Sequence, residues 1–282
     1  MDVFQSEIVS NKKYGTNLFK LEIFCPYICK NASAGQFINI KCSESLNTDP
    51  LLRRPFSIYD IDKKFNVFSI LFLLKGKGTH YLASKKRGDI LDFIGPLGKG
   101  FFSIKKSDNI NLNFNKGIEA SEDEVNNFVL IGGGIGVAPL YLLAKELKEK
   151  NKNVFFIAGF RDETFFYWQK DLEKLLKDYY LFTENGSFGQ KGLATDYIKE
   201  DINRFIGKQI VVCGPRDMLI TLQKIFKPKN ISAYVIMEEI IACGIGACIG
   251  CVIKVKIGEK KFEYRRVCAD GPIFKLEEVC FE

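Results

Sequence analysis

Four cysteines near the C-terminus constrain this chain more than any other feature. Cys243, Cys248 and Cys251 lie in CGIGACIGC, and Cys268 follows in RRVCADGP, a spacing of C-x4-C-x2-C-x16-C. The opening part is the plant-type spacing of a [2Fe–2S] cluster, in which four thiolates hold two irons. A tight glycine loop wraps three sulfurs round one side, and a distant fourth closes the other. Glycines at 244, 246 and 250 let the backbone approach and aim amides at the sulfurs. Zinc also accepts four cysteines, but its usual knuckles are paired C-x2-C units. Unligated thiols are the third reading.

The chain has 282 residues and nine cysteines. The N-terminus, MDVFQSEIVSNKK, lacks the basic start and apolar core of a secretory signal, so clustered cysteines read as metal ligands or redox groups rather than disulfides. Cys25, Cys29, Cys42 and Cys280 stand alone or in apolar runs and read as small hydrophobes. A single histidine, His80, makes a His-rich metal site or a Ser-His-Asp hydrolase improbable. The net charge of +7 comes from lysines interleaved with acids, without recognition-helix or zinc-finger spacing, so no nucleic-acid partner is expected. Residues 128–144 are uncharged but hold four glycines and a proline, and fall short of a membrane span. The expectation is a soluble, cytoplasmic protein with no membrane partner.

Up to residue 103, alternating runs such as NLFKLEIF, QFINIKC, PFSIYDI, FNVFSILFLL and DILDFIG are broken by turn residues. This spacing predicts an antiparallel β-barrel or sandwich. Residues 104–127 are polar and Asn-rich, a linker or surface insertion. Over 128–229 the strands NFVLIGGG, NVFFIAGF, YYLFTEN and QIVVCGP alternate with the helices VAPLYLLAKELKEK, FYWQKDLEKLLKD and RDMLITLQKIF. That alternation predicts a parallel sheet with helices on both faces. Residues 230–282 form a small cysteine-bearing unit. Its hairpin, residues 252–267, carries Lys254, Lys256, Lys260, Lys261, Arg265 and Arg266, and reads as a solvated basic face or a docking surface.

Gly132, Gly133, Gly134, Ile135 and Gly136 make a turn between a strand and a helix. Backbone amides and the helix dipole there suit a pyrophosphate. Val137 departs from the usual dinucleotide fingerprint, and glycine-rich turns also serve packing alone. Cys213, Gly214 and Pro215 end another strand, where the crevice of an open α/β sheet lies; Cys213 reads equally as packing or site. In the β unit, Arg53 and Arg54 precede Pro55, Phe56 and Ser57. An arginine fork suits a phosphate, Phe56 suits an aromatic ring, and Lys77, Gly78 and Thr79 offer amides and a hydroxyl. An exposed arginine pair is also an ordinary solvated surface.

In this order the motifs resemble the ferredoxin–NADP reductase superfamily, in which R-x-[YF]-[ST] in a flavin barrel precedes GGGxGxxP and a CGP strand end. GPLGKGF at residues 95–101 also matches. CGIGACIGC with VCADGPIF resembles the electron-transfer subunits of two-subunit, class 1B dihydroorotate dehydrogenases, over essentially the whole chain. The resemblance implies three units: an N-terminal antiparallel FAD-binding β-barrel (1–103), a parallel α/β NAD-binding domain (128–229) and a small C-terminal [2Fe–2S] domain (230–282). It implies FAD contacts from Arg54, Pro55, Phe56, Ser57, Leu71, Phe72, Leu73, Gly78 and Thr79, and NAD+/NADH as substrate at the glycine turn and CGP end. It implies cluster ligation by Cys243, Cys248, Cys251 and Cys268.

The partner it implies is an FMN-containing catalytic subunit, two of each forming a heterotetramer, in pyrimidine synthesis. Phe56 replaces the wider superfamily's tyrosine. Related small subunits of NADH-dependent ferredoxin:NADP oxidoreductases carry aspartate where this chain has Cys243. A flavin reductase feeding a hydrogenase or ferredoxin system, and a non-catalytic redox sensor, are the alternatives.

Overall fold

The computed structural model describes residues 2–44, 49–103, 126–258 and 261–281. The Asn-rich linker or insertion therefore lies, apart from residues 126 and 127, outside the described residues.

The first six strands are β1 (Asp2–Lys13), β2 (Leu18–Phe24), β3 (Phe37–Ile40), β4 (Arg54–Asp62), β5 (Val67–Leu73) and β6 (Ile90–Leu97). They close into an antiparallel barrel in the order β1-β2-β5-β4-β3-β6, so none is left as an open edge. Alternation explains the closure: in β6, Leu91, Phe93 and Leu97 are buried while Ile90 faces out. Two short helices interrupt the strands, α1 (Pro26–Asn31) and α2 (Lys77–Ser84).

The second sheet contains β7 (Asn127–Gly133), β8 (Asn153–Phe160), β9 (Tyr179–Thr183), β10 (Gln190–Lys191), β11 (Gln209–Cys213), β12 (Ala233–Ile236) and β15 (Ile273–Lys275), in the order β10-β9-β8-β7-β11-β12-β15. Six strands run parallel, and β15 pairs antiparallel with β12 at one edge. The sheet thus takes β12 and β15 from the stretch after residue 230. Between them lies the hairpin of β13 (Val252–Ile257) and β14 (Lys261–Arg266).

Helices α3 (Val137–Glu149), α4 (Phe166–Leu175), α5 (Ala194–Glu200) and α6 (Arg216–Phe226) divide between the two faces. Leu130, Phe156 and Val211 share a core with Leu140, Leu143, Trp168 and Leu172. The alternate residues Ile131, Ile157 and Val212 share another with Ile198, Leu219 and Leu222, joined by Cys251, Val267 and Cys268. The cysteine module is therefore packed onto one face of the sheet.

Helix α3 is wedged between the sheet and the barrel, which is why it is apolar almost all round. Tyr141 stacks on Tyr59 with ring centroids 4.5 Å apart. Lys145 Nζ reaches Asp60 Oδ1 at 2.6 Å and the Ile61 carbonyl at 2.8 Å. Among the described residues no helix is long and apolar enough to cross a membrane.

Candidate functional site

An open cleft lies where the barrel, the α/β sheet and the cysteine module meet. From the barrel come Pro55, Phe56 and Ser57 of β4, and Leu71, Phe72 and Leu73 of β5. Phe56 meets Phe72 edge to face, with centroids 5.9 Å apart. Thr79 lines the cleft from the first turn of α2. Its hydroxyl accepts from the Lys75 and Gly76 amides, which leaves the amides of Lys77, Gly78 and Thr79 as the donors of that helix start.

The two arginines part company. Arg53 pairs with Asp92 at 2.7 Å and donates to the Asp92 carbonyl. Among the described residues Arg54 donates to the carbonyls of Leu52 and Arg53, and its stem packs on Gly78, where an added Cβ would stand 3.3 Å from Arg54 Cγ. His80 is exposed, with its ring on the Gly76 carbonyl.

The glycine turn and the CGP end lie side by side. β7 and β11 pair in parallel, with Gly132 opposite Cys213. The chain runs from β7 outward to β10, then returns to β11 on the other side, so the carboxyl ends of β7 and β11 form the topological switch point. A Cβ on Gly136 would stand 2.4 Å from the Cys213 carbonyl oxygen, so only glycine lets these turns close on each other. Gly132, Gly133 and Gly214 are likewise hemmed in by Val137, Met218 and Pro215, whereas Gly134 faces open space. Ile135 and Ala138 carry this turn into the cleft wall. Cys213 is fully buried, with Sγ 4.0 Å from Glu238 Oε1 in the cleft. Burial, reinforced by Glu238, pushes its thiol well above the ordinary range.

In the cysteine loop, the amides of Ile245 and Cys248 point at Cys243 Sγ at 3.5 and 3.4 Å. The Cys268 amide points at Cys251 Sγ at 3.5 Å. Burial raises the Cys243 thiol, but the amides of Cys248, Ile245 and Ala247 and the Cys248 side chain together outweigh it and bring it down to about 6. Burial and the Cys251 thiol push Cys268 up to about 12. The Cys251 and Cys243 thiols both bear on Cys268, and the Cys248 side chain on Cys243, so the four cysteines gather in one module. Among the described residues no three His, Cys, Asp or Glu side chains converge on a single-ion site. Four cysteines in one loop module, with backbone amides aimed at the sulfurs of Cys243 and Cys251, fit a cluster held by four thiolates. Arg266 fastens the loop, donating to the Gly246 carbonyl at 2.7 Å and pairing with Asp270.

Residues 238–280 match the iron–sulfur cluster binding domain of dihydroorotate dehydrogenase B, and residues 130–224 match the oxidoreductase NAD-binding domain. Over 274 residues the chain is 37% identical to the electron transfer subunit of dihydroorotate dehydrogenase B (NAD(+)) from Bacillus cereus (strain G9842), covering 96% of each chain. The chain belongs to the dihydroorotate dehydrogenase B electron transfer subunit family. The family's Bacillus velezensis member is 35% identical over 272 residues, again covering 96% of each. The solved NADH-dependent reduced ferredoxin-NADP oxidoreductase superposes with a TM-score of 0.79 at 28% identity, over 98% of this chain and 89% of that one. A ferredoxin NADP+ reductase from Neisseria gonorrhoeae with bound FAD and NADP gives 0.64 at 15% identity, over 81% and 92%, a likeness of fold alone.

Against this family background, the cleft also contains residues that the sequence did not assign to it. Ile236, Met237, Glu238, Glu239 and Ile241 form one wall, with Phe37, Lys75, Val267 and Pro272. Crowding by the surrounding protein raises the Glu238 carboxyl, opposed by Lys75. Val267 and Pro272 fall within VCADGPIF, whereas the signal for the rest of this wall is the short apolar run AYVIM at 233–237, which leads from β12 into the cysteine loop.

Proposed function

We propose that this chain is the electron-transfer subunit of an NAD-linked dihydroorotate dehydrogenase, serving UMP synthesis in the cytoplasm. Its cofactors are FAD and a [2Fe–2S] cluster, with NAD+/NADH as substrate. The carrying observation is the junction: Ile241 and Val267 line the cleft, and stand two residues and one residue from the cysteines Cys243 and Cys268. A nicotinamide exchanges hydride, an iron–sulfur cluster exchanges single electrons, and a flavin does both.

The chain's own residues supply binding and orientation. Arg54 and the amides at the start of α2 hold the FAD pyrophosphate, while Phe56 and Phe72 give its ring an apolar wall. Gly132, Gly133, Gly134, Ile135 and Gly136, with Cys213, Gly214 and Pro215, seat the nucleotide at the switch point. Cys243, Cys248, Cys251 and Cys268 hold the cluster, and Arg266 keeps their loop in place.

Dihydroorotate oxidation belongs to a separate FMN-containing catalytic subunit, and two copies of each chain assemble. Ile240 and Ile249 flank the cysteines at 80% and 79% exposure, apolar surface of the kind that a partner covers. The second reading, a reductase serving a ferredoxin system, draws on the 28% identical neighbour. Cofactor content and co-purification separate the two. The purified chain should show flavin and cluster absorption together and retain an FMN-bearing subunit. A flavin-free chain, or capture of a ferredoxin-linked subunit instead, would overturn the first reading.

A further inference from the structure

One fully buried polar side chain, Asn39, sits where the barrel meets the cysteine loop. On β3, Ile38 and Ile40 belong to the barrel core, whereas Phe37 lines the cleft and Asn39 shares its face. Asn39 lies opposite Pro55 of the candidate flavin segment in one ladder and opposite Ile94 in the other. Its Nδ2 donates to the carbonyl of Ala242, the residue before Cys243, at 3.4 Å. The residue after Cys243 is Gly244, held at φ +75, where an added Cβ would stand 3.0 Å from the same Nδ2. One side chain therefore bonds the residue before a cluster cysteine and occupies the space that a side chain on the residue after it would need. Its Oδ1 is buried and, among the described residues, has no hydrogen-bond partner. An apolar residue of similar size would pack there without that penalty, and such departures concentrate at functional sites.

We propose that Asn39 is a positioning residue for the [2Fe–2S] cluster: its amide fixes the loop around Cys243 against the flavin barrel and so sets the hydrogen bonding at the Cys243 sulfur. The inference rests on ligation by Cys243, Cys248, Cys251 and Cys268. Cluster potentials follow hydrogen bonds to sulfur and local burial. Cys243 Sγ receives the Ile245 and Cys248 amides, and their aim depends on the loop that Asn39 holds.

The test compares the full chain with Asn39→Leu and Asn39→Asp. Iron, sulfide and FAD content, the EPR spectrum of the reduced cluster and its midpoint potential are measured on each. Both variants should keep FAD and show an altered spectrum and a shifted potential. Cluster reduction by NADH should slow about tenfold in Asn39→Leu, the scale of an outer-shell change at a metal site. Asn39→Asp keeps the side chain's shape and carries the test if Asn39→Leu does not fold. Full cluster loading with unchanged spectrum, potential and rate would overturn the proposal. Loss of FAD together with the cluster in both variants would also overturn it, since Asn39 would then be a packing residue of the barrel. A wild-type chain without iron would instead overturn the cluster assignment.

Discussion

The Tyr59 hydroxyl donates to Asp171 Oδ2 at 2.9 Å, tying a fully buried phenol of β4 in the barrel to helix α4 of the nucleotide domain. Tyr14 donates to the same oxygen at 3.1 Å, and Lys20 stands 3.6 Å away. Burial and the neighbouring Asp171 hold the Tyr59 phenol well above its ordinary range, so it stays a donor at any working pH. Asp171→Ala leaves that buried hydroxyl unpaired, at a cost of about 1–3 kcal/mol. Calorimetry should record a Tm several degrees lower, with a smaller fall for Asp171→Asn. An unchanged Tm in Asp171→Ala would show that the bond contributes nothing to domain docking.

The arginine pair separates by role. Arg54→Ala should weaken FAD retention by about ten- to a hundredfold, the value of a lost charge-assisted phosphate contact. Arg53→Ala should lower Tm, because Asp92 loses its partner, yet leave FAD affinity near wild type. Flavin content after gel filtration decides it. Equal retention in both variants would mean that residues 54–57 have been assigned the wrong task.

Much of this architecture was legible in the sequence because the side-chain period reports the environment directly. NFVLIGGG is apolar on both faces because β7 lies in the middle of a sheet covered on both sides. DILDFIG alternates because β6 has one face inside a barrel. Strands β12 and β15 were illegible as sheet members: each is short, β12 joins β11 only across about twenty residues of chain, and β15 joins β12 across about forty. Arg265 and Arg266 read alike in sequence, yet Arg266 is spent on Gly246 and Asp270, whereas Arg265, among the described residues, pairs with Glu263 on its own strand. Asn39 carried no signal at all, since a lone polar residue in QFINIK looks like the wet side of a strand.

Glu146 offers a pH test. Its Oε1 accepts from the Ala34 amide at 3.0 Å across the domain junction. Burial raises its carboxyl above the ordinary 4.5, opposed by that same amide. The folded chain therefore favours the protonated form: this group's contribution is full below the unfolded value and is lost as pH rises through the raised one. Glu146→Gln keeps the acceptor and removes the charge. Its Tm at pH 7 should equal or exceed that of wild type, and the fall in Tm from pH 4 to 7 should be shallower. A Tm several degrees lower at pH 7 would show that the charge itself is needed.

Docking should depend on the surface beside the cysteines rather than on the whole basic hairpin. Ile249→Asp and Arg265→Glu should weaken association with the catalytic subunit, the latter with added salt sensitivity. NADH-to-dye reduction, which needs only the flavin cleft and the nucleotide site, should survive both. Arg266→Glu should instead lower iron content, because it frees the cysteine loop. A loss of dye reduction matching the loss of association would place these residues in folding rather than docking.

The central claim, that this chain relays electrons but does not oxidise dihydroorotate, is tested by assaying one preparation before and after adding an FMN-bearing catalytic subunit. Alone, the chain should reduce a dye with NADH and show no dihydroorotate:NAD+ turnover. With the partner, that turnover should appear, and it should be lost when Cys243→Ser replaces the wild-type chain. Dihydroorotate oxidation by the isolated chain, or full turnover of the mixture with Cys243→Ser, would contradict the account.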